Sequence, residues 1–326
     1  MSLLFEHSGQ PKLVTQWATD FQNLYGDNDS RRHPEELWIA TMGHCSVMGE
    51  AIRRDNYCEL LDAAAHAFCW MCCYINKCNQ GRDPFFRIDN TLSEIVGMKF
   101  PNICGHCEQA ECMCRPLEID EKKDKSARYS NLFEKWKDFK CGHYELNRWL
   151  ATFWKIYKGR IHLLTLSSIG FHFLEEAGEA AVAVRQLVQL RGILKEKIAG
   201  IDEPFLAKIA SIPGLIGEYV AYRNDTVKKT PDWKINYTLK DPLHLRARIL
   251  EAKMGQLIEF ADTFSWYCAI LIKVTEILHN AKVTLEDYNI ETTLQNVYMK
   301  AGTSITCPKC SKDKCECLFF PGGQPE

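Results

Sequence analysis

The sequence carries almost no net charge: 40 Lys and Arg stand against 42 Asp and Glu, a formal charge of −2. That balance excludes the chain-wide basic footprint by which a protein grips DNA or RNA phosphates, and leaves room only for a local patch. No secretory leader is recognisable in MSLLFEHSGQPK, which has no basic start, long apolar core or small-residue cleavage site. The expectation is a cytoplasmic protein. A run of alternating strand pattern is also missing. Long proline-free stretches rich in Ala, Leu, Ile, Glu and Lys, such as Ala180 to Leu194 and Arg246 to Leu278, predict an all-α fold instead. The apolar stretch Met254 to Ile272 is a poor membrane span, because Glu259 and Asp262 would lie in mid-bilayer.

Cysteine, by contrast, is abundant, with sixteen in the chain. In a reducing compartment these read as metal ligands and small packing residues rather than disulfides. Cys69, Cys72 and Cys73 sit in an apolar helical run and read as packing. Eight others form two identical CxxCxxxxCxC patterns: Cys104, Cys107, Cys112 and Cys114, then Cys307, Cys310, Cys315 and Cys317. Four close thiolates separated by turns suit a closed tetrahedral Zn²⁺ site of structural type. Iron is the rival, since thiolate spacing alone does not select the metal.

The two clips end two similar stretches of chain. Trp17, Phe21, Leu24 and Tyr25 recur as Trp149, Phe153, Ile156 and Tyr157, each 132 positions later. HCSVMGEA (His44 to Ala51) matches FLEEAGEA (Phe173 to Ala180), an ExxD pair follows in each (Glu59 and Asp62, Glu259 and Asp262), and TLSEIVGMK and TLQNVYMK precede the clips, ending at Lys99 and Lys300. This order predicts two tandem helical-bundle modules. The expected boundaries are a first module over 1–117, a charged linker over 118–141, and a second module over 142–326 with a long insert at about 192–245.

Between Ile161 and Val184 the only charged residues besides histidine are Glu175, Glu176 and Glu179, and between Met254 and Ile272 only Glu259 and Asp262. No basic residue is mixed in, so up to five carboxylates crowded between apolar helices would be costly without a cation. Hard divalent ions with oxygen ligands resolve that cost, Mg²⁺ (or Mn²⁺) above all, often shared with substrate phosphates. A solvated acidic stripe is the plainer alternative.

The combination EExxE with a later ExxD, Glu175-Glu176-x-x-Glu179 and Glu259-x-x-Asp262, resembles the MazG-like, all-α nucleoside triphosphate pyrophosphohydrolase superfamily, as does the Lys-containing helix before CPKCSKDKCEC. The resemblance covers most of the second module. It implies a dimeric or tetrameric helical bundle whose five acids hold Mg²⁺ against a nucleoside triphosphate, with water attacking the α-phosphorus. Glu175, Glu176, Glu179 and Asp262 would then be ligands, and Glu259 a ligand or water-orienting base. In the first module Ser46 and Val47 replace the leading pair, leaving Glu50, Glu59 and Asp62. A degenerate first module would act as the second's internal dimer partner, with further homo-oligomerisation compatible with the resemblance. The competing functional reading is a catalytically silent helical scaffold that binds nucleotide or protein. Nucleic-acid binding through the clips is disfavoured by Glu108 and Glu111 in the first, while Lys309, Lys312 and Lys314 in the second keep that reading open.

Overall fold

The structure is a computed structural model of the chain, and it describes residues 12–81, 83–114, 132, 134–197, 203–227, 242–283, 289–300 and 304–317. Among these the architecture is helical, apart from a two-residue antiparallel pairing in which β1 (Met299–Lys300) meets β2 (Ser304–Ile305). Among the described residues the fold is carried by α1 (Val14–Asp29), α2 (Pro34–Arg53), α3 (Tyr57–Gln80), α4 (Leu92–Lys99), α5 (Leu146–Leu163), α6 (Leu166–Lys197), α7 (Glu203–Ala210), α8 (Leu215–Val227), α9 (Pro242–Asn280) and α10 (Ile290–Tyr298).

Local sequence explains where several of these begin. His33 caps α2 with Pro34 behind it, and the Glu36 carboxylate accepts from the His33 amide at 2.7 Å. Thr91 and Glu94 form the same reciprocal box at the start of α4. Asn289 caps α10, accepting from the Glu291 amide at 2.8 Å. No proline interrupts α9, whose 39 residues reach roughly 58 Å at 1.5 Å per residue.

Helices α2 and α3 pack as an antiparallel pair, as do α6 and α9, and the two pairs meet where α2 crosses α6. Two glycines at that crossing leave room for the side chains of the facing helix. A Cβ on Gly170 would lie 2.8 Å from Ile52 Cδ1, and one on Gly49 would lie 3.1 Å from Leu174 Cδ1. The core between the pairs is aromatic, with Trp38 stacked edge-on against Tyr74 at 5.3 Å and tilted against Phe260 at 5.1 Å.

The two ends of the chain are exchanged. Helix α4 packs on α9 rather than on its own neighbours α2 and α3, and α10 packs on α3. The same reciprocity runs through single bonds. Residues Leu13 and Glu145, 132 apart in sequence, pair in an isolated antiparallel bridge. The Trp17 indole donates to Glu291 at 3.2 Å and the Trp149 indole to Ser93 at 3.3 Å, each acceptor being the second residue of α10 or α4. The Cys112 amide donates to the Ile156 carbonyl at 2.7 Å, and the Cys315 amide to the Leu24 carbonyl at 2.8 Å. Each clip therefore rests on the first helix of the other half.

The long insert is anchored rather than loose where it is described. Lys253 of α9 is buried and its ammonium donates to the carbonyls of Pro84, Arg87 and Ala210 at 2.6–2.9 Å, which satisfies all three of its protons. Arg246 grips Glu218 of α8 through two bonds of 2.8 Å. Most of the expected 118–141 linker lies outside the described residues, but its last part is not a free connector. Leu132 and Cys141 are buried, and the Cys141 thiol donates to the Ser93 carbonyl at 3.2 Å. Cys69, Cys72 and Cys73 are buried in α3 as free thiols. That helix is apolar and long enough to cross a membrane, yet most of it faces the protein core.

Candidate metal centre between the long helices

The acidic residues meet where α6 and α9 pack side by side. Ala177 and Ala180, which flank this part of α6, are buried and small. The carboxylates of Glu176, Glu259 and Asp262 each place an oxygen within 4.8 Å of the others. Glu179, a turn after Glu176, is more exposed and hydrogen-bonds to Glu259.

Glu175 lies elsewhere. Successive helical residues are about 100° apart around the axis, so Glu175 and Glu176 cannot share a face. Its side chain is 61% exposed and faces His172 at 3.3 Å, on the solvent side, where His172 stacks on Trp266. The five carboxylates expected from sequence thus resolve into a group of three, Glu179 beside it, and Glu175 outside.

Electrostatics mark the group as short of positive charge. Burial and the neighbouring Asp262 carboxylate push the Glu176 carboxyl up from 4.5 to about 8, and the same two causes push Glu259 up to about 7. Among the described residues Lys99 opposes both shifts. Its side chain is only 4% exposed, and its ammonium forms an ion pair with Asp262 Oδ2. Lys99 closes α4, so it reaches this site from the other half of the chain because the ends are exchanged. Sequence reasoning noticed Lys99 and Lys300 as a repeated position but did not place Lys99 in the site; the only available signal was its spacing ahead of the clip.

A pH prediction follows for the metal-free chain. A carboxyl whose pKa is 4.5 when unfolded and about 8 when folded binds more protons folded than unfolded between those values, so stability is lost as pH rises through that window. Glu291, buried against Trp17 and also raised to about 7, adds to the same slope. Denaturant midpoints of metal-free protein should fall from pH 5 to pH 8.5. Added Mg²⁺ should recover part of the loss, and a flat profile would contradict the charge arrangement.

The corresponding carboxylates of the first half are dispersed. Glu50 is held by Arg53 at 2.6 Å and Arg54 at 2.7 Å, and the Arg53 hydrogen bonds draw its pKa down to about 2. Glu59 is engaged by Asn56 at the start of α3, where the Asn56 amide donates to its carboxylate at 3.0 Å. Asp62 lies 3.9 Å from His66, whose ring also hydrogen-bonds Tyr298 at 2.7 Å. Among the described residues these three do not form a group able to share an ion.

Both cysteine clips are closed clusters able to hold a metal ion. A tetrahedral site with Zn–S bonds of about 2.3 Å separates its sulfurs by about 3.8 Å. Cys104 Sγ lies 3.5 Å from Cys112 Sγ and 3.9 Å from Cys114 Sγ, and Cys307 Sγ lies 3.8 Å from Cys317 Sγ. The His106 amide points at Cys104 Sγ and the Met113 amide at Cys107 Sγ, each at 3.4 Å, as suits thiolate acceptors. His106 itself is not part of the cluster.

No protein-family model matches this chain, and neither a curated protein nor a solved structure is significantly similar to it.

Proposed function

We propose that the chain is an Mg²⁺-dependent nucleotide pyrophosphohydrolase built from two tandem MazG-like modules, active only at the acidic centre of the second. The observation that carries this reading is the convergence of Glu176, Glu259 and Asp262 from two helices, where burial and then the neighbouring Asp262 carboxylate raise the pKa values of both glutamates and a divalent cation would offset that cost. Bound Mg²⁺ would supply charge neutralisation for a triphosphate and for the leaving pyrophosphate. Glu176, Glu259 and Asp262 offer the oxygen ligands, with Glu179 supporting Glu259. Water oxygen bonds to the α-phosphorus while the bond from α-phosphorus to the bridging oxygen breaks, and that electron pair leaves with pyrophosphate. Glu259, at the edge of the group beside Glu179, would act as a ligand or as the base that orients the attacking water. Glu175 serves neither role in this reading.

The two cysteine clusters each hold a structural Zn²⁺, and the first half serves as an internal partner, making the chain an intrachain pseudo-dimer of cytoplasmic type. Glu50→Ala and Asp62→Ala should leave turnover within about twofold of the wild type, because these side chains already have local partners. Near-total loss in either variant would overturn the division of labour between the halves.

One observation favours a second reading. Lys99 already neutralises Asp262 without any metal, as it would in a silent scaffold that binds nucleotide or protein. Incubating the protein with a panel of nucleoside triphosphates and Mg²⁺, and assaying pyrophosphate and monophosphate, separates the two. Stoichiometric release of both products supports the enzyme. No release across the panel, with nucleotide binding retained, supports the scaffold.

A further inference from the structure

We propose that Lys99 is a tethered counter-ion that competes with the divalent cation at the acidic centre, and that the first cysteine clip, but not the second, sets the strength of that competition. The inference rests on the proposed function only in taking the acidic centre as a cation site.

The ammonium arrives on a weak element. Helix α4 has eight residues, too few to be stable alone, so Lys99 stays where it is only because surrounding structure holds it. The clip is part of that structure. Gly105 lies in its first turn, between Cys104 and Cys107, and a Cβ there would come within 3.0 Å of the Lys99 carbonyl oxygen and 3.3 Å of Lys99 Cγ. The turn is therefore packed directly on both the backbone and the stem of Lys99. On its other side the clip is fixed to α5 by the Cys112 amide on the Ile156 carbonyl. The next residue, Tyr157, hydrogen-bonds Cys104 and lies within electrostatic range of Asp262, so one side chain touches the clip and borders the acidic centre.

These contacts form a short mechanical path. Metal in the clip holds the first turn closed, the turn holds Lys99, and Lys99 holds Asp262. A unit positive charge against Asp262 must be displaced or shared before a divalent cation takes full hold of the same carboxylates, which lowers the site's affinity for that cation. With an opened clip, Lys99 loses its backing and the carboxylates face an incoming cation uncompensated. The second clip makes the reciprocal contacts, with the Cys315 amide on the Leu24 carbonyl and Asn28 donating to the Cys315 carbonyl at 2.7 Å. Those contacts lead to the first half, where Glu50 is already neutralised by arginine. The two clips have the same geometry and unequal consequences.

The test is Mn²⁺ titration of the full-length, zinc-loaded protein without nucleotide, read by the free-Mn²⁺ electron paramagnetic resonance signal, with Glu176→Gln identifying binding at the acidic centre. Lys99→Met should tighten Mn²⁺ binding about tenfold through loss of one adjacent positive charge, and Lys99→Arg should restore wild-type affinity to within about threefold, since it keeps that charge. A Cys107→Ser/Cys114→Ser pair should shift affinity in the same direction as Lys99→Met, while Cys310→Ser/Cys317→Ser should leave it unchanged. If the first pair fails to fold by circular dichroism, Cys107→Ser alone, at a partly buried ligand, takes its place with the same expected shift, and unchanged affinity in it would overturn the clip's role. Wild-type binding that Lys99→Met leaves unchanged or weakens would overturn the inference and leave the cation site standing. Equal shifts from both clip variants would overturn the asymmetry, and no Mn²⁺ binding in wild type or Lys99→Met would overturn both this inference and the cation reading beneath it.

Discussion

Glu176→Gln is expected to reduce turnover of the preferred nucleotide by roughly 10²–10³-fold, the range seen when one preorganised electrostatic contact to a developing charge is removed. The substitution keeps the shape of the side chain and the packing of α6 while deleting one anionic ligand. It also removes a charge that burial and Asp262 disfavour, so the metal-free variant should be more stable than wild type above pH 8, where Glu176 would otherwise be ionised. Lost activity together with gained metal-free stability marks a group kept for its charge rather than for structure. Steady-state kinetics and denaturant unfolding of the same sample check both halves. Retention of more than a third of wild-type turnover would remove Glu176 from the site.

Trp38→Ala is expected to destabilise the fold by about 3–5 kcal/mol, the usual cost of deleting a fully buried large aromatic side chain. Trp38 joins the two helix pairs: its indole donates to the Ala177 carbonyl at 3.2 Å and its ring packs on Tyr74 and Phe260. Ala177 and Phe260 are the sequence neighbours of Glu176 and Glu259. The cavity left by alanine therefore opens beside the backbone that aims both carboxylates. A fall in thermal midpoint of roughly 5–10 °C should follow for a chain of this size, with weaker Mn²⁺ binding at temperatures where the variant is still folded. Trp38→Phe keeps an aromatic ring in the core but loses the hydrogen bond and a few buried ring atoms, so it should cost about 1–2 kcal/mol. Equal losses from the two substitutions would assign the effect to the hydrogen bond instead of the packing.

The helical class was legible in the sequence because it is written locally, in proline-free apolar periodicity such as Ala180 to Leu194 and Arg246 to Leu278. The clips were legible for a similar reason, since four cysteines within eleven residues can only converge on one another. The acidic centre was partly legible. Glu176, Glu259 and Asp262 stood out as charges on otherwise apolar helices, but the adjacent Glu175 was grouped with them although a 100° step carries it to the solvent side.

The exchange of ends left no trace that periodicity could reveal. An amphipathic helix such as α4 declares which of its faces is buried, not which helix buries it, so Lys99 was assigned to the half in which it is encoded. The contacts that move it to the other half, Trp149 to Ser93 and Cys112 to Ile156, are long-range and polar. The charge-rich stretch before α5 posed the related problem of a segment polar in composition but anchored by single residues, Leu132 and Cys141. In both cases tertiary packing decided what local composition left open.

If the two halves are unequal as proposed, a divalent cation binds among Glu176, Glu259 and Asp262 and not among Glu50, Glu59 and Asp62. Anomalous scattering from crystals grown with Mn²⁺ and a non-hydrolysable nucleoside triphosphate tests it most directly. Manganese density is expected among Glu176, Glu259 and Asp262, with the Lys99 ammonium moved off Asp262, and none among Glu50, Glu59 and Asp62. Manganese at the first-half residues, or an acidic centre still closed by the Lys99–Asp262 pair at saturating Mn²⁺, would contradict it.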